Sequence, residues 1–406
     1  MLRFLTAGES HGQALVAILE GMPAGVAIDP DAITIDLRRR QGGYGRGRRM
    51  AIESDRAEIL SGIRRGRTTG GPISLLIPNK DWQNWQRTMA VGAVLSPDAT
   101  GANRAPVTRP RPGHADLAGA LKYELDDMRD VLERASARET AARVALAGIA
   151  RQLLGVFDIH VLSHVVRIGD VAVPESLGVP VSRIRDIPAD SPLHCAEPDI
   201  EQQMIAAIDA AREAGDTLGG AFEVVVTGLP PGLGSYVQWD RKLDGRLAQA
   251  VMSIQAIKGV GIGKGPAVSE VPGSRIHDEI VPSGELPTGH ASVGVSRLTN
   301  NAGGLEGGVT NGEEIRVTGY MKPIATLMKP LRSVDLTTLE PSPAAIERSD
   351  VCAVTAAAVV GEAMVALVVA DAWLEKFGGD SLAEIQRNYA ATTAAIRARF
   401  GARARG

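Results

Sequence analysis

Between Arg38 and Arg49 the chain reads RRRQGGYGRGRR: six arginines and four glycines, with no acidic residue. Arginine keeps its charge at any working pH, and its planar fork matches carboxylate and phosphate. Packed on one glycine-rich loop, these groups repel each other unless something anionic sits among them, so the segment asks for an anion. Four other segments carry related chemistry. Gly8-Glu9-Ser10-His11-Gly12 sets a histidine between glycines near a strand-like run. Arg109-Pro110-Arg111-Pro112-Gly113-His114 is a stiff, acid-free loop with two guanidinium groups and an imidazole. Arg134 and Arg138 are four apart on an expected helix and so share a face. The stretch NNAGGLEGG from Asn300 to Gly308 has glycines that let backbone N–H groups approach a ligand closely.

Each segment also has an ordinary structural explanation. A lone histidine beside a strand is more often structural than catalytic. Arg109 and Arg111 fit a solvated loop, and Arg134 and Arg138 fit ion pairs with Glu133 and Glu139 on an exposed face. A glycine-rich loop is more often a plain connection. Together, however, several acid-poor Arg/Gly/His loops in a chain of net charge -3 point to two phosphate-bearing molecules or one very anionic one. Other chemistries fall away. GVGIGKG at Gly259–Gly265 is neither a dinucleotide fingerprint nor a P-loop. His160 and His164 have no set of neighbouring carboxylates or thiols in sequence that could complete a metal's ligands, so no metal site is expected. Aromatic residues make up 3% of the chain, the isoelectric point is about 6.2, and no stacking platform accompanies the arginines, which argues against nucleic acid.

The elements that must hold these loops can be read from periodicity. With 406 residues, 44% hydrophobic and 22% charged, the chain has an ordinary soluble composition and enough length for a large core. Cys195 and Cys352 give neither a disulfide framework nor metal-ligand spacing, which fits a reducing compartment. The opening MLRFLTAGESHG lacks the apolar run of a signal peptide, and the apolar stretch Val351–Ala370 is broken by Glu362 and reads as a core helix. A cytoplasmic protein without a membrane span is the expectation. Ala17–Val26 reads as strand, G-x-P-x-G turn and strand before a helix-like Pro30–Arg40. Val224–Leu233 repeats the pattern before a helix-like Arg241–Lys258, which suggests an internally duplicated α+β architecture. Helices are expected at Asp126–Leu154, Ile200–Ala214 and Val354–Phe377, and a surface connection at Val171–Pro198. One catalytic domain over 1–390 with a flexible tail over 391–406 follows.

The combination resembles the chorismate synthase family. The resemblance runs from Met1 to about Asn388 and rests on GESHG…EGMPAG at Gly8–Gly25, ERASARETAARVA at Glu133–Ala145 and RSDVCAV at Arg348–Val354. The stretches RRRQGGYGRGRR, RPRPGHAD, NAGGLEGG and MKPIAT fit as well. It implies a sandwich of helices and antiparallel sheets assembled as a homotetramer, with reduced FMN (FMNH2) as cofactor and no metal. The implied substrate is 5-enolpyruvylshikimate 3-phosphate, which loses phosphate by 1,4-anti elimination to give chorismate, without net redox change. By resemblance, Arg40, Arg46, Arg49, Arg111 and Arg138 grip the substrate anions. Arg134, Ala135, Ser136, Gln255, Ala256, Gly307, Lys322, Pro323, Ile324, Ala325, Thr326 and Arg348 hold the flavin. His11 protonates the departing phosphate, His114 serves the flavin N1/C2 carbonyl edge, and Asp350 assists proton removal at N5. Many relatives have two serines where this chain has Ala135 then Ser136, so a contact at 135 runs through the backbone. No added reductase domain is visible, and an external flavin reductase is the expected source of reduced FMN rather than an NADPH-dependent activity of this chain.

Overall fold

The computed structural model describes residues 1–46, 55–93, 96, 98–174, 178–282, 295–346 and 350–401. The first sheet begins with β1 (Arg3–Ala7) and β2 (Ala14–Glu20), in which Leu15, Ala17 and Leu19 alternate inward. Helix α1 (Pro30–Gln41) follows, with Asp29 capping the Asp31 N–H, Pro30 in the first turn and Arg38, Arg39 and Arg40 in the last. Short strand β3 (Glu58–Ile59), the hairpin β4 (Ile63–Arg64) and β5 (Arg67–Thr68), and β6 (Ile73–Pro78) come next. The four-stranded sheet runs β1-β2-β6-β3, with every neighbour antiparallel. Helices α2 (Asp116–Tyr123), α3 (Arg129–Ala135) and α4 (Thr140–Gly155) lead into the second half. There β7 (His160–Ile168), β8 (Val171–Ala172), α5 (Val181–Arg185), α6 (Pro198–Ala214), β9 (Gly220–Thr227), α7 (Leu243–Met252) and β10 (Ile257–Ile262) succeed one another. The hairpins β11 (Ile280–Pro282) with β12 (Val295–Arg297) and β13 (Leu305–Glu306) with β14 (Val309–Thr310) precede β15 (Ile315–Met321). The hairpin β16 (Arg332–Val334) with β17 (Pro341–Pro343), then α8 (Val354–Phe377) and α9 (Leu382–Gly401), complete the chain. The second sheet runs β10-β15-β9-β7-β8, again antiparallel throughout.

The two sheets repeat one topology. In chain order β1, β2, α1, β3 and β6 match β7, β9, α7, β10 and β15: the first strand pairs the second, the second pairs the fourth, and the fourth pairs the third. A long helix then follows each set, α4 after the first and α8 after the second. Helix α4 packs on β2 and β6, α8 packs on β7 and β9, and the two helices pack on each other, so the helices fill the space between the sheets. This is an α+β sandwich, as the sequence pattern implies. Gly361 is required where α8 meets β9, because a Cβ there would run into the Phe222 ring.

Several expected boundaries move. The helix expected over Asp126–Leu154 stops at Ser136, whose ψ of 141 is extended, and restarts through a 3-10 turn at Ala137–Glu139. The strand expected after the Gly21–Gly25 turn is reduced to single bridges, Ala24 to Ser381 and Ala27 to Arg67. The Arg241–Lys258 helix is shorter, from Leu243 to Met252, because β10 begins at Ile257. The connection at 171–198 is more than surface: Val173, Val179, Ile184, Leu193 and Cys195 are buried in it. Residues 391–401 continue α9.

Among the described residues α8 alone is long and apolar enough to cross a membrane, and 89% of its most apolar window is buried inside the protein. Its one interior charge, Glu362, sits at a crossing of elements. Arg39 of α1 donates to both Glu362 oxygens at 2.8 and 2.7 Å, Arg151 of α4 at 3.0 Å, and Ser163 of β7 at 2.7 Å. Burial pushes this carboxyl up, but Arg39, with Arg151 and Ser163, outweighs burial and holds it at about 2. A carboxylate held down by folding stabilises the fold above its ordinary value of 4.5 and loses that effect as the pH falls from 4.5 towards 2. Urea denaturation of Glu362→Gln should therefore show a loss of about 3–5 kcal/mol at neutral pH. The variant should also lack the part of the wild-type acid destabilisation below pH 4.5 that this group causes. Equal acid slopes in both proteins would refute that assignment.

Candidate active site

The loop between β1 and β2 carries His11. Its sharp return needs Gly8, whose φ of +103 and contact with the Ala14 carbonyl leave no room for a side chain. Glu133, at the buried end of α3, receives this loop: its carbonyl accepts from the Ser10 N–H at 3.0 Å. Its carboxylate accepts from the His11 N–H at 2.8 Å and meets His11 Nδ1 at 2.8 Å. Asn79, just past β6, donates to the carbonyls of Gly12 and Glu9, and its oxygen accepts from Arg138 Nε and Nη2 at 3.1 and 2.9 Å. The histidine loop is thus tied by the side chains of Glu133 in α3 and Asn79 after β6, and Asn79 in turn joins it to Arg138.

The break at Ser136 changes the reading of Arg134 and Arg138, which do not share a face. Arg134 points outward and donates to the carbonyls of Thr6 and Gly8. Arg138 is buried against Asp55 at 2.5 Å and Asn79. Nor do these arginines pair with Glu133 and Glu139 on an exposed face. Glu133 seats His11, and Glu139 is buried between Arg143 and Gln255.

The arginine-rich run is likewise dispersed. Three successive residues at the end of α1 point in three directions: Arg38 is exposed, Arg39 enters the core at Glu362, and Arg40 turns into the site. Arg40 donates to Thr140 at 2.9 Å and to the Ala137 carbonyl at 2.8 Å, with Asp55 4.0 Å away. Arg46 meets Asp350 at 3.2 Å. The anion this segment asks for is therefore supplied in part by the chain itself. Arg49 and Arg348 lie outside the described residues.

A second histidine is mounted on the 109–116 loop. Asp116, fully buried at the start of α2, accepts from Arg111 Nε at 2.8 Å and Nη2 at 3.0 Å, and meets His114 Nδ1 at 2.5 Å. Burial pushes the Asp116 carboxyl up, yet hydrogen bonds from His114 and Arg111 outweigh it and hold the group well below the usual carboxylate range. Arg111 also donates to Thr326 at 3.1 Å. This contact ties the loop to the Lys322–Thr326 segment, where Lys322 Nζ and Ala325 approach Gly113. The Lys322 N–H donates to the carbonyl of Ala256, a left-handed residue (φ 66) that follows Gln255. Gln255 in turn donates to Glu139 at 2.8 Å, and Ser136 Oγ lies 3.3 Å from Ser10 Oγ. Thr217 links the Ile324 carbonyl to the neighbourhood of Asp350, since the Leu218 N–H donates to the Val351 carbonyl. One continuous set of contacts therefore joins His11, His114, Asp350, Arg40, Arg46, Arg111, Arg138 and the 134–136, 255–256 and 322–326 segments.

One expectation is narrowed: in the Asn300–Gly308 loop the Asn301 and Ala302 N–H groups donate to Asp278 and that of Gly304 to Asn300, so these three are already engaged. Gly307 lies in the β13–β14 turn, ahead of β15, and Lys322 follows β15. The sequence reading also left out Asp55, Asn79, Trp85 and Asp116. Asp116 had a signal, two residues past His114, whereas the others are joined to the site only by tertiary contacts. A cavity of about 910 Å³ lies beside the His11 loop, lined by Glu9, Gln13, Val16, Leu76, Trp82 and Met89 among others, and none of the arginines lines it. No metal-binding cluster occurs among the described residues.

The fold and these cation-lined, carboxylate-seated histidines define an antiparallel α+β enzyme whose site suits strongly anionic small molecules. The family profile described as chorismate synthase matches residues 2–374. The chorismate synthase of Geobacter metallireducens is 57% identical over 390 residues, covering 96% of this chain and 98% of that protein. That of Desulforudis audaxviator is 56% identical over 400 residues, covering 98% and 99%. A solved structure titled "Crystal Structure of Chorismate Synthase" superposes with a TM-score of 0.76 at 41% identity, covering 98% of both chains. The chain belongs to the chorismate synthase family, and so to the enzymes of aromatic amino-acid biosynthesis.

Because one buried carboxylate seats both Arg111 and His114, Asp116→Asn should lower turnover by about 100-fold through misplacement of the pair. The melting temperature should stay near that of the wild type, and turnover measured beside it separates misplacement from unfolding. Unchanged turnover would show that Asp116 does not hold them.

Proposed function

We propose that the chain catalyses the 1,4-anti elimination of phosphate from 5-enolpyruvylshikimate 3-phosphate to give chorismate, with reduced FMN as cofactor and no net redox change. The observation that supports this reading is the network of contacts that links two histidines, each on a buried carboxylate, to arginines from three separate segments of the chain. A phosphate-bearing, dicarboxylate substrate needs such fixed cations, each close pair contributing roughly 4 kcal/mol at an effective dielectric near 20.

The residues fit a flavin mononucleotide. Lys322 is shifted down by burial and by the neighbouring Lys258, and such a pair of like charges favours a phosphate between them. Gln255 leaves its buried side-chain oxygen without a hydrogen bond, an acceptor suited to an imide N–H. Arg134, Ala135, Ser136, Gln255, Ala256 and Lys322–Thr326 would hold this cofactor, with Arg348. When bound, it would supply the electron density that lets phosphate leave and would recover it with the hydrogen lost from the substrate's ring, so that no net redox change results. His11 delivers a proton to the departing phosphate, its Nδ1 held by Glu133 so that Nε2 serves the ligand. His114 holds a proton at the N1/C2 edge, and Asp350, steadied by Arg46, accepts one at N5. Arg40, Arg46, Arg49, Arg111 and Arg138 grip the substrate anions.

A homotetramer accounts for Gly307. In that assembly the Gly307 turn, beside the exposed Tyr236 and near the exposed Trp239, reaches a flavin held by a neighbouring subunit. The enzyme works in the cytoplasm and takes reduced FMN from an external flavin reductase.

Purified protein with dithionite-reduced FMN should release phosphate and form chorismate anaerobically; no release would remove the proposal. His11→Ala and His114→Ala should each cut turnover by about 10²–10⁴-fold while flavin binding persists. Light scattering should give four times the 42.6 kDa chain mass, and a monomer that binds flavin fully would refute the shared site.

A further inference from the structure

We propose that Trp85 is a positioning residue for His11, locking the imidazole plane so that Nε2 points at one fixed spot; this rests on His11 acting as general acid. The His11 ring stacks on the indole with centroids 3.7 Å apart and planes 20° from parallel. Arg104 places its guanidinium carbon 3.9 Å from the same indole centroid. Two planar groups cannot share one face at those distances, so the indole is sandwiched, with imidazole on one side and guanidinium on the other. Trp85 is buried, and its Nε1 donates to Asp81 at 2.9 Å, which fixes the indole within its own plane. Arg104 is anchored in turn by its N–H to Thr88. Arg129 lies 5.6 Å from the indole centroid and 3.9 Å from Glu133, bracketing the same assembly.

Two constraints then act on one imidazole. Glu133 receives Nδ1 and settles which ring nitrogen carries the hydrogen, but a hydrogen bond at one nitrogen leaves the ring free to rock about that contact. Stacking removes this freedom and excludes water from one face. Neither constraint suffices alone, since the Glu133 oxygens lie 2.8 and 3.0 Å from Nδ1 and permit a range of ring tilts. Among the described residues, charged groups facing the ring include Glu133 at its edge, Arg129 beyond that carboxylate, and Arg104 across the indole.

Turnover tests this directly. Trp85→Phe, which keeps an aromatic face, should stay within about threefold of wild type. Trp85→Leu should lose about 10- to 100-fold in kcat, on the scale of a small misplacement of a catalytic group, with KM for the enolpyruvyl phosphate within about threefold. Wild-type kcat in Trp85→Leu, alongside an inactive His11→Ala, would overturn the positioning role and leave the general-acid reading intact. A fully active His11→Ala would remove that reading and this proposal with it. A second measurement works even if the Leu variant folds poorly. Trp85 emission, isolated as the difference between each protein and its Trp85→Phe counterpart, should change in intensity when His11→Asn removes the stacked imidazole. An identical difference spectrum with and without the His11 ring would refute the stack.

Discussion

The break in the helical run at Ser136 is the constraint on which the site depends. A single extended residue separates α3 from the 3-10 turn and α4, and it changes the direction of every side chain beyond it. Before the break, Glu133 faces inward and seats His11. After it, Arg138 reaches Asn79 and Asp55, while the Ala137 carbonyl and Thr140 hold Arg40. A continuous helix would keep Arg134 and Arg138 on one face, and the 8–12 loop and the arginines would then have no common anchor. Ser136 compensates for the lost helical bond by accepting from the Arg138 N–H at 3.2 Å.

Electrostatics explains why the site can exist before any ligand arrives. Clustered guanidinium groups destabilise a fold unless each finds a partner, and here Asp55, Asp116 and Asp350 provide them. Buried pairs of this kind lose much of their attraction to desolvation, so their main effect is to fix geometry. Arginine suits this arrangement because one fork can hold a carboxylate and still offer other N–H groups to a ligand. An incoming polyanion meets cations already aimed, and little reorganisation is left for the binding step.

What the sequence revealed and what it hid divides along one physical line. Residue types whose meaning is local were legible: the histidine set between glycines at 8–12, the helix starting at Pro30, the core character of α8 and the repeated strand–turn–helix units. The mountings were not, because they join residues far apart in the chain. Nothing near His11 in sequence announces Glu133, and nothing near Arg138 announces Asp55 or Asn79. The Asn300–Gly308 loop misled for the same reason. Its free-looking backbone donors are taken by Asp278, more than twenty residues earlier.

The duplication explains where chemistry settled. In both repeats the segment leading from the fourth strand into the long helix carries residues of the proposed site. From β6 to α4 these are Arg111, His114, Arg134 and Arg138, and from β15 to α8 they are Lys322–Thr326 and Asp350. The end of α1 meets the start of both long helices, through Arg40 at Thr140 and Gly43 against Thr355, so these two segments are brought to the same end of the sandwich. The repeats diverge in the connection between their first two strands. In the first it is the short His11 loop; in the second it has grown into α5, α6 and the buried 171–198 segment, which fold against the second sheet. One repeat thus kept an open edge for a catalytic loop and the other closed it, so a duplicated scaffold carries a single, asymmetric site.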